Sequence, residues 1–298
     1  MSSVNTKHKD RLFRFIFGYP ENIEWTLSLF NAISGTNYND PSAIEFNTIE
    51  DAIYLGMKND ISFIFFLLYE LDLWEHQSSF NPNMPIRCLI HIAQLYDKFI
   101  QENNLNRYSR KILKLPRAKF YCFYNGTEDQ PEEKILKLSD SFGENSDSDL
   151  EVRVKMININ YGKNKKLMDS CQPLKEYAWI IEMVRQYEKT LKSLEKAFDF
   201  VLSIIPEDFV IRKFLLAHKA EVKGMFLTEY DEKKQRKLDR DEAREEGFEE
   251  GIAQGRMTTA TAMLKEKLPL SLIMKISELS EIVIRGLAEK INVAVVQG

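Results

Sequence analysis

Asn59-Asp60-Ile61-Ser62-Phe63-Ile64-Phe65 and, after a break near residues 68–70, Leu71-Asp72-Leu73-Trp74-Glu75-His76-Gln77 decide how this chain is read. Both runs are rich in β-branched and aromatic residues, which favours strands. Joined by the intervening turn they form an antiparallel hairpin in which residues whose numbers sum to about 135 to 137 face each other. Asp60 then stands opposite Glu75 or Gln77. Glu75 and Gln77 are two apart and project from one face, while Trp74 and His76 project from the other. Two carboxylates at the end of an apolar hairpin repel each other unless a cation lies between them, and oxygen-only ligands select a hard ion such as magnesium.

Outward from this hairpin the periodicity changes twice. Residues 10–33 carry apolar positions at helical spacing, interrupted by Gly18-Tyr19-Pro20 and closed by Gly35, which predicts two short helices. Residues 44–46 and 51–55 read as strands that complete an antiparallel meander with the hairpin. Asn81-Pro82-Asn83-Met84-Pro85 is a turn cluster that launches a helix over residues 85–102, with Ile86, Leu89, Ile90, Ala93, Leu95 and Tyr96 expected on its buried side. Residues 119–124 and 151–159 read as further strands, residues 128–149 as an acidic surface loop. Beyond residue 163 helical periodicity takes over, over residues 177–187, 193–204 and 209–229 and again over 260–267, 270–276 and 281–290. Between them, residues 229–250 are almost wholly polar, and glycine recurs at Gly247, Gly251 and Gly255. Each such glycine costs a helix about 1 kcal/mol, so this stretch is expected to be marginally ordered without a partner.

The fold class expected is therefore α/β, a central mixed sheet flanked by helices and followed by an all-helical C-terminal extension. The organisation expected is a sheet-containing core over residues 1–165, a helical extension packed on it over 166–230, a charged Gly/Glu linker or helix over 231–258 and a small helical tail over 259–298.

The 298 residues are 44% hydrophobic and 29% charged, which rules out disorder as the dominant state. Lys and Arg number 41 against 45 Asp and Glu, a net charge of −4, which argues against nucleic-acid binding driven by bulk charge. Acids are concentrated in residues 128–149 and in the glutamate-rich tail, whereas Arg87, Lys98, Arg107, Arg110, Lys111, Lys114, Arg117 and Lys119 form a basic region. That region reads either as a solvated helix face or as a phosphate-contacting surface. Cys88, Cys122 and Cys171 have no C-x-x-C spacing and fit a reducing compartment, so a cytoplasmic location is expected. The polar N-terminus and an apolar run confined to residues 61–68 predict neither export nor membrane insertion. Asn125-Gly126-Thr127 reads as a turn after a strand. His8, His91 and His218 are isolated and give no ligand spacing, and Asp10 reads as an N-terminal helix charge.

Lys58-Asn59-Asp60-Ile61-Ser62-Phe63, the run from Glu75-His76-Gln77-Ser78 through Asn81-Pro82-Asn83-Met84-Pro85-Ile86-Arg87, and Phe120-Tyr121-Cys122-Phe123-Tyr124-Asn125-Gly126 together resemble the PD-(D/E)XK nuclease superfamily. Within it the likeness is to the recombination-promoting nuclease (Rpn) and PD-(D/E)XK nuclease family transposase group. Met156-Ile157-Asn158-Ile159-Asn160-Tyr161-Gly162, Pro173-Leu174-Lys175-Glu176-Tyr177 and the glycine-glutamate tail extend it. The resemblance implies a restriction-endonuclease-like core and a magnesium-dependent DNA endonuclease associated with mobile elements or recombination, manganese substituting for magnesium. Carried over residue by residue, it implies Asp60, Glu75 and Gln77 as catalytic residues and Asp60, Glu75 and the backbone carbonyl of His76 as metal ligands. Gln77 stands where the superfamily has lysine; it can orient a water but supplies no charge. The name-giving proline is also absent, with Lys58-Asn59 in its place. Arg87, Arg107, Arg110 and Lys111 are the candidate nucleic-acid contacts. The C-terminal helices resemble the short tails of the group and are a candidate for homodimer formation or packing. The alternative reading is a DNA-binding or protein-interaction protein that keeps the nuclease fold without turnover.

Overall fold

The structure is a computed structural model that describes residues 12–47, 61–143 and 148–296. Two short helices open it, α1 (Leu12–Phe17) and α2 (Ile23–Ser34). Gly35 closes α2 in the left-handed conformation at φ +70°, its N–H bonded to Asn31 O, a position where a side chain would be strained. Three strands follow, β1 (Ile44–Phe46), β2 (Ile61–Phe65) and β3 (Glu70–Gln77). They form the antiparallel meander that the sequence predicts, with Ile61 opposite Trp74 and Phe65 opposite Glu70. Residues 51–55, expected as one of its strands, lie outside the described residues.

Helix α3 (Met84–Glu102), with Pro85 in its first turn, then crosses to β4 (Arg117–Tyr124), which pairs parallel to β3 along its whole length. β5 (Glu133–Lys137) and β6 (Arg153–Asn158) complete a six-stranded mixed sheet in the order β1-β2-β3-β4-β6-β5, with β6 parallel to β4 and β5 antiparallel at the edge. The acidic stretch expected to be only a loop thus contains a strand. Its signal is weak because β5 is an edge strand with a single buried residue, Leu136.

Helices cover both faces, as an α/β sheet buried on two sides requires. On one face Phe13, Phe63, Trp74, Phe123 and Ile157 pack with α4 (Lys165–Ser170), α5 (Gln172–Leu191), α6 (Leu194–Ile204) and α7 (Arg212–Ala217). Ser193 caps α6 by accepting from Lys196 N at 3.3 Å. On the other face Leu73, Cys88, Cys122 and Met156 pack together, and Ile64 and Leu71 pack with Ile92 and Leu95. The buried side of α3 matches the expected one at Leu95, with Leu89 and Tyr96 packed at its margin, and differs from it elsewhere. Met84, Cys88, His91, Ile92 and Leu95 are inside, whereas Ile86, Ile90 and Ala93 are exposed. Two stripes on α3 carry helical spacing, and the one that is buried includes Cys88 and His91, whose polar character hides it in the sequence.

The chain divides into two compact units, Met1–Glu229 and Tyr230–Gly298. The expected helix over residues 209–229 is broken at His218, between α7 and α8 (Lys219–Lys265). Helix α8 continues through Gly247, Gly251 and Gly255, so the charged stretch read as a linker or a helix is helical. Strong helix formers such as Glu, Lys, Arg, Gln and Ala surround these glycines and offset their cost. In the second unit the last turns of α8 gather with α9 (Leu270–Ser277) and α10 (Glu281–Lys290) around Ala260, Leu264, Ile273 and Ile284. No helix among the described residues is long and apolar enough to cross a membrane.

Candidate active site

All eight residues of β3 are buried, yet Glu70, Asp72, Glu75, His76 and Gln77 are polar. The period of two sorts the last three. Glu75 and Gln77 share the α3 face, and Gln77 Nε2 donates to Glu75 Oε2 at 3.4 Å. Glu75 has no exposed surface. A buried carboxylate needs compensation, and Arg87 supplies it from the second turn of α3, with Nη2 3.0 Å from Glu75 Oε2. The two thiols of this face flank the carboxylate: Cys88 Sγ lies 4.0 Å from Oε1, and Cys122 is the β4 residue in register with Glu75.

His76 occupies the opposite face. Its ring stacks on Phe13 at 5.0 Å, and Nε2 lies 3.0 Å from the Tyr177 hydroxyl on α5. Asn125 Nδ2 donates to the same hydroxyl at 3.1 Å, so the hydroxyl bridges Asn125 and His76. Arg185 continues the chain of bonds, donating to Asn125 O and, at 2.8 Å, to Asn160 Oδ1. It also lines a cleft of about 660 Å³ with Gly126, Asp129, Lys163 and Lys192. Carbonyls alternate in direction along a strand; Gln77 O accepts from Asn125 N on the β4 side, so the carbonyl of His76 is turned towards the β2 side.

Asp60 and Asp10 lie outside the described residues. Among the described residues no group of three or more His, Cys, Asp or Glu side chains could hold a metal ion. The oxygen donors that are present, the Glu75 carboxylate, the Gln77 amide and the His76 carbonyl, are of the kind a magnesium ion takes. Asp60, the second carboxylate of the expected set, directly precedes Ile61, the first described residue of β2.

The basic residues separate. Arg87 reaches Glu75. Arg107 pairs with Asp97 on α3 itself, and Arg110 and Lys111 are exposed in the irregular connection between α3 and β4. That connection is tied to Tyr69, which precedes β3, through Tyr69 OH to Lys114 O at 2.9 Å, and to α3 through Tyr96 OH to Pro116 O at 2.7 Å. Arg110 and Lys111 therefore do not stand on a helix face.

Sequence reasoning missed the partners of the buried polar groups: Arg87 on Glu75, and Tyr177 and Asn125 around His76. It also missed Asp72, whose Oδ1 accepts from Trp74 Nε1 at 3.1 Å and which, wholly buried, has its carboxyl held well above the usual range by desolvation first and by the Glu70 charge second. Asp72 alternates with Leu71 and Leu73, and both faces of that alternation are interior because helices pack on both sides of the sheet.

Comparison with protein-family models, with curated proteins and with solved structures finds no significant match to this chain.

Proposed function

We propose that the chain is a magnesium-dependent DNA endonuclease with a restriction-endonuclease-like core, hydrolysing phosphodiester bonds at the carboxyl end of β3. The observation that carries this reading is the wholly buried Glu75, sharing one oxygen with Gln77 and Arg87, beside a His76 carbonyl turned towards the strand that Asp60 precedes. The resemblance of the Asp60 and Glu75-His76-Gln77 segments to the nuclease superfamily supports the same assignment. A meander followed by a helix and a parallel strand is an architecture compatible with it.

Asp60, Glu75 and the His76 carbonyl would hold the ion. Bound there, magnesium lowers the pKa of a coordinated water and neutralises charge on the phosphate. Gln77 orients the attacking water through its amide. His76 contributes its backbone alone, since its ring is fixed on the far face by Phe13 and Tyr177.

Purified chain incubated with plasmid DNA and magnesium or manganese is expected to nick or linearise it, and Asp60→Ala or Glu75→Ala to lower the rate by at least about 100-fold. Cleavage that persists in both variants refutes the site. A parent chain that binds DNA and leaves it intact with either metal refutes the endonuclease reading in favour of the non-catalytic one.

A further inference from the structure

Gln77 leaves the motif one positive charge short, and the fold brings a cation to the same oxygen. Arg87 Nη2 lies 3.0 Å from Glu75 Oε2, to which Gln77 Nε2 also donates. The Arg87 side chain keeps 30% of its surface exposed while Glu75 keeps none. Among the described residues Arg87 also makes a weak contact, Nη1 to Met84 Sδ at 3.6 Å. A guanidinium carries five N–H donors in a planar fork, is charged at every physiological pH, and matches the spacing of phosphate oxygens. Holding Glu75 uses only part of that fork.

We propose that Arg87 is the phosphate-binding cation of this site, holding Glu75 with one N–H and a non-bridging phosphate oxygen of the nucleic acid with others, and so replacing the charge that lysine would bring at position 77. The inference rests on the phosphodiesterase reading above. It gives Arg87 a task that an ion pair serving only to fasten α3 to β3 would lack: contact with substrate. It also separates Arg87, which is paired with Glu75, from Arg110 and Lys111, which are exposed in the connection between α3 and β4.

The test measures binding of a labelled DNA duplex in EDTA, where no metal contributes, as a function of salt. Glu75→Gln is compared with Glu75→Gln/Arg87→Gln, so that neither chain carries an unpaired carboxylate at position 75. A phosphate contact by Arg87 predicts that the slope of log K against log salt falls in magnitude by about 0.9 in the double variant. The corresponding loss of affinity between 1 M and 0.1 M salt is about eightfold. Glu75→Gln/Arg87→Lys is expected to restore the slope. In the chain with Glu75 intact, Arg87→Gln is expected to lower kcat by about 100-fold or more, and Arg87→Lys to recover part of it.

An unchanged salt slope overturns the proposal, as does Arg87→Gln cleaving at the parental rate; in either case the endonuclease reading stands if the parent cleaves. A reduced slope in a chain whose parent does not cleave DNA upholds the phosphate contact and refutes the endonuclease reading alone. No measurable binding by Glu75→Gln overturns the assignment of Arg87.

Discussion

Asp72→Asn is the substitution that most directly tests how β3 tolerates its buried polar groups. Asp72 is wholly buried, Trp74 Nε1 donates to its Oδ1, and its Oδ2 has no hydrogen-bond partner among the described residues. Burial above all, and then the charge of Glu70, raise its carboxyl well above the ordinary value of 3.8, against the opposing effects of the indole and Lys119. A carboxyl raised in this way keeps its proton in the folded chain at pH values where the unfolded chain has released it. Stability is therefore undiminished below the unfolded value and falls by about 1.4 kcal/mol per pH unit above it, until the folded pKa is reached. Asparagine keeps an acceptor for Trp74 and has no proton to lose. The stability of the Asp72→Asn chain relative to the parent is thus expected to climb from about pH 4 upward, by up to about 1.4 kcal/mol per unit. Urea unfolding in steps across this range, followed by tryptophan emission, measures the difference, with m-values that match between the two chains. Parallel stability curves would refute the raised carboxyl, and a difference that climbs as pH falls would mean that Asp72 is held ionised.

Glu176, buried on α5, accepts from Val210 N at 2.9 Å, Ile211 N at 3.0 Å and Gln172 Nε2 at 2.8 Å. Glu176→Ala strands those donors and is expected to cost about 2–4 kcal/mol, lowering Tm by roughly 5–15 °C; a Tm within about 2 °C of the parent would contradict that role. The three cysteines are buried, and burial raises the Cys171 thiol to about 11. Folded chain at pH 8 is expected to resist iodoacetamide and unfolded chain to take up three labels, so rapid labelling of Cys171 in the native state would be the refuting result.

The parts of this fold that could be read from the sequence are those set by near neighbours. The hairpin β2-β3 was legible because its turn is short and its strands are rich in β-branched and aromatic residues, and Ile61 opposite Trp74 falls within the expected register. Gly35 and Pro85 punctuate helices where their backbone preferences demand it. The illegible parts depend on contacts between distant segments. β5 is a strand because β6 pairs with it, not because of its own residues. The buried stripe of α3 is settled by what the sheet offers it, and the rotation that puts Cys88 inside also carries Arg87 to Glu75. Tyr177 lies 101 residues from His76, and no local pattern joins them.

A central strand buried on both faces is most stable when it is apolar, and replacing buried ionic groups by hydrophobic ones of similar volume is often neutral or stabilising. β3 departs from that rule at five of its eight positions. Some of the departures are matched by single partners, such as Arg117 on Glu70 at 3.5 Å and Trp74 on Asp72. At the carboxyl end the matching is more elaborate: Glu75 is served by Gln77 and by α3, and His76 by α5 and by the residue that follows β4. Stability alone would select a valine or leucine in place of Glu75 and its guanidinium partner. That a polar set is instead kept inside the sheet, with supports drawn from three separate segments, is what a site held in fixed geometry for chemistry requires.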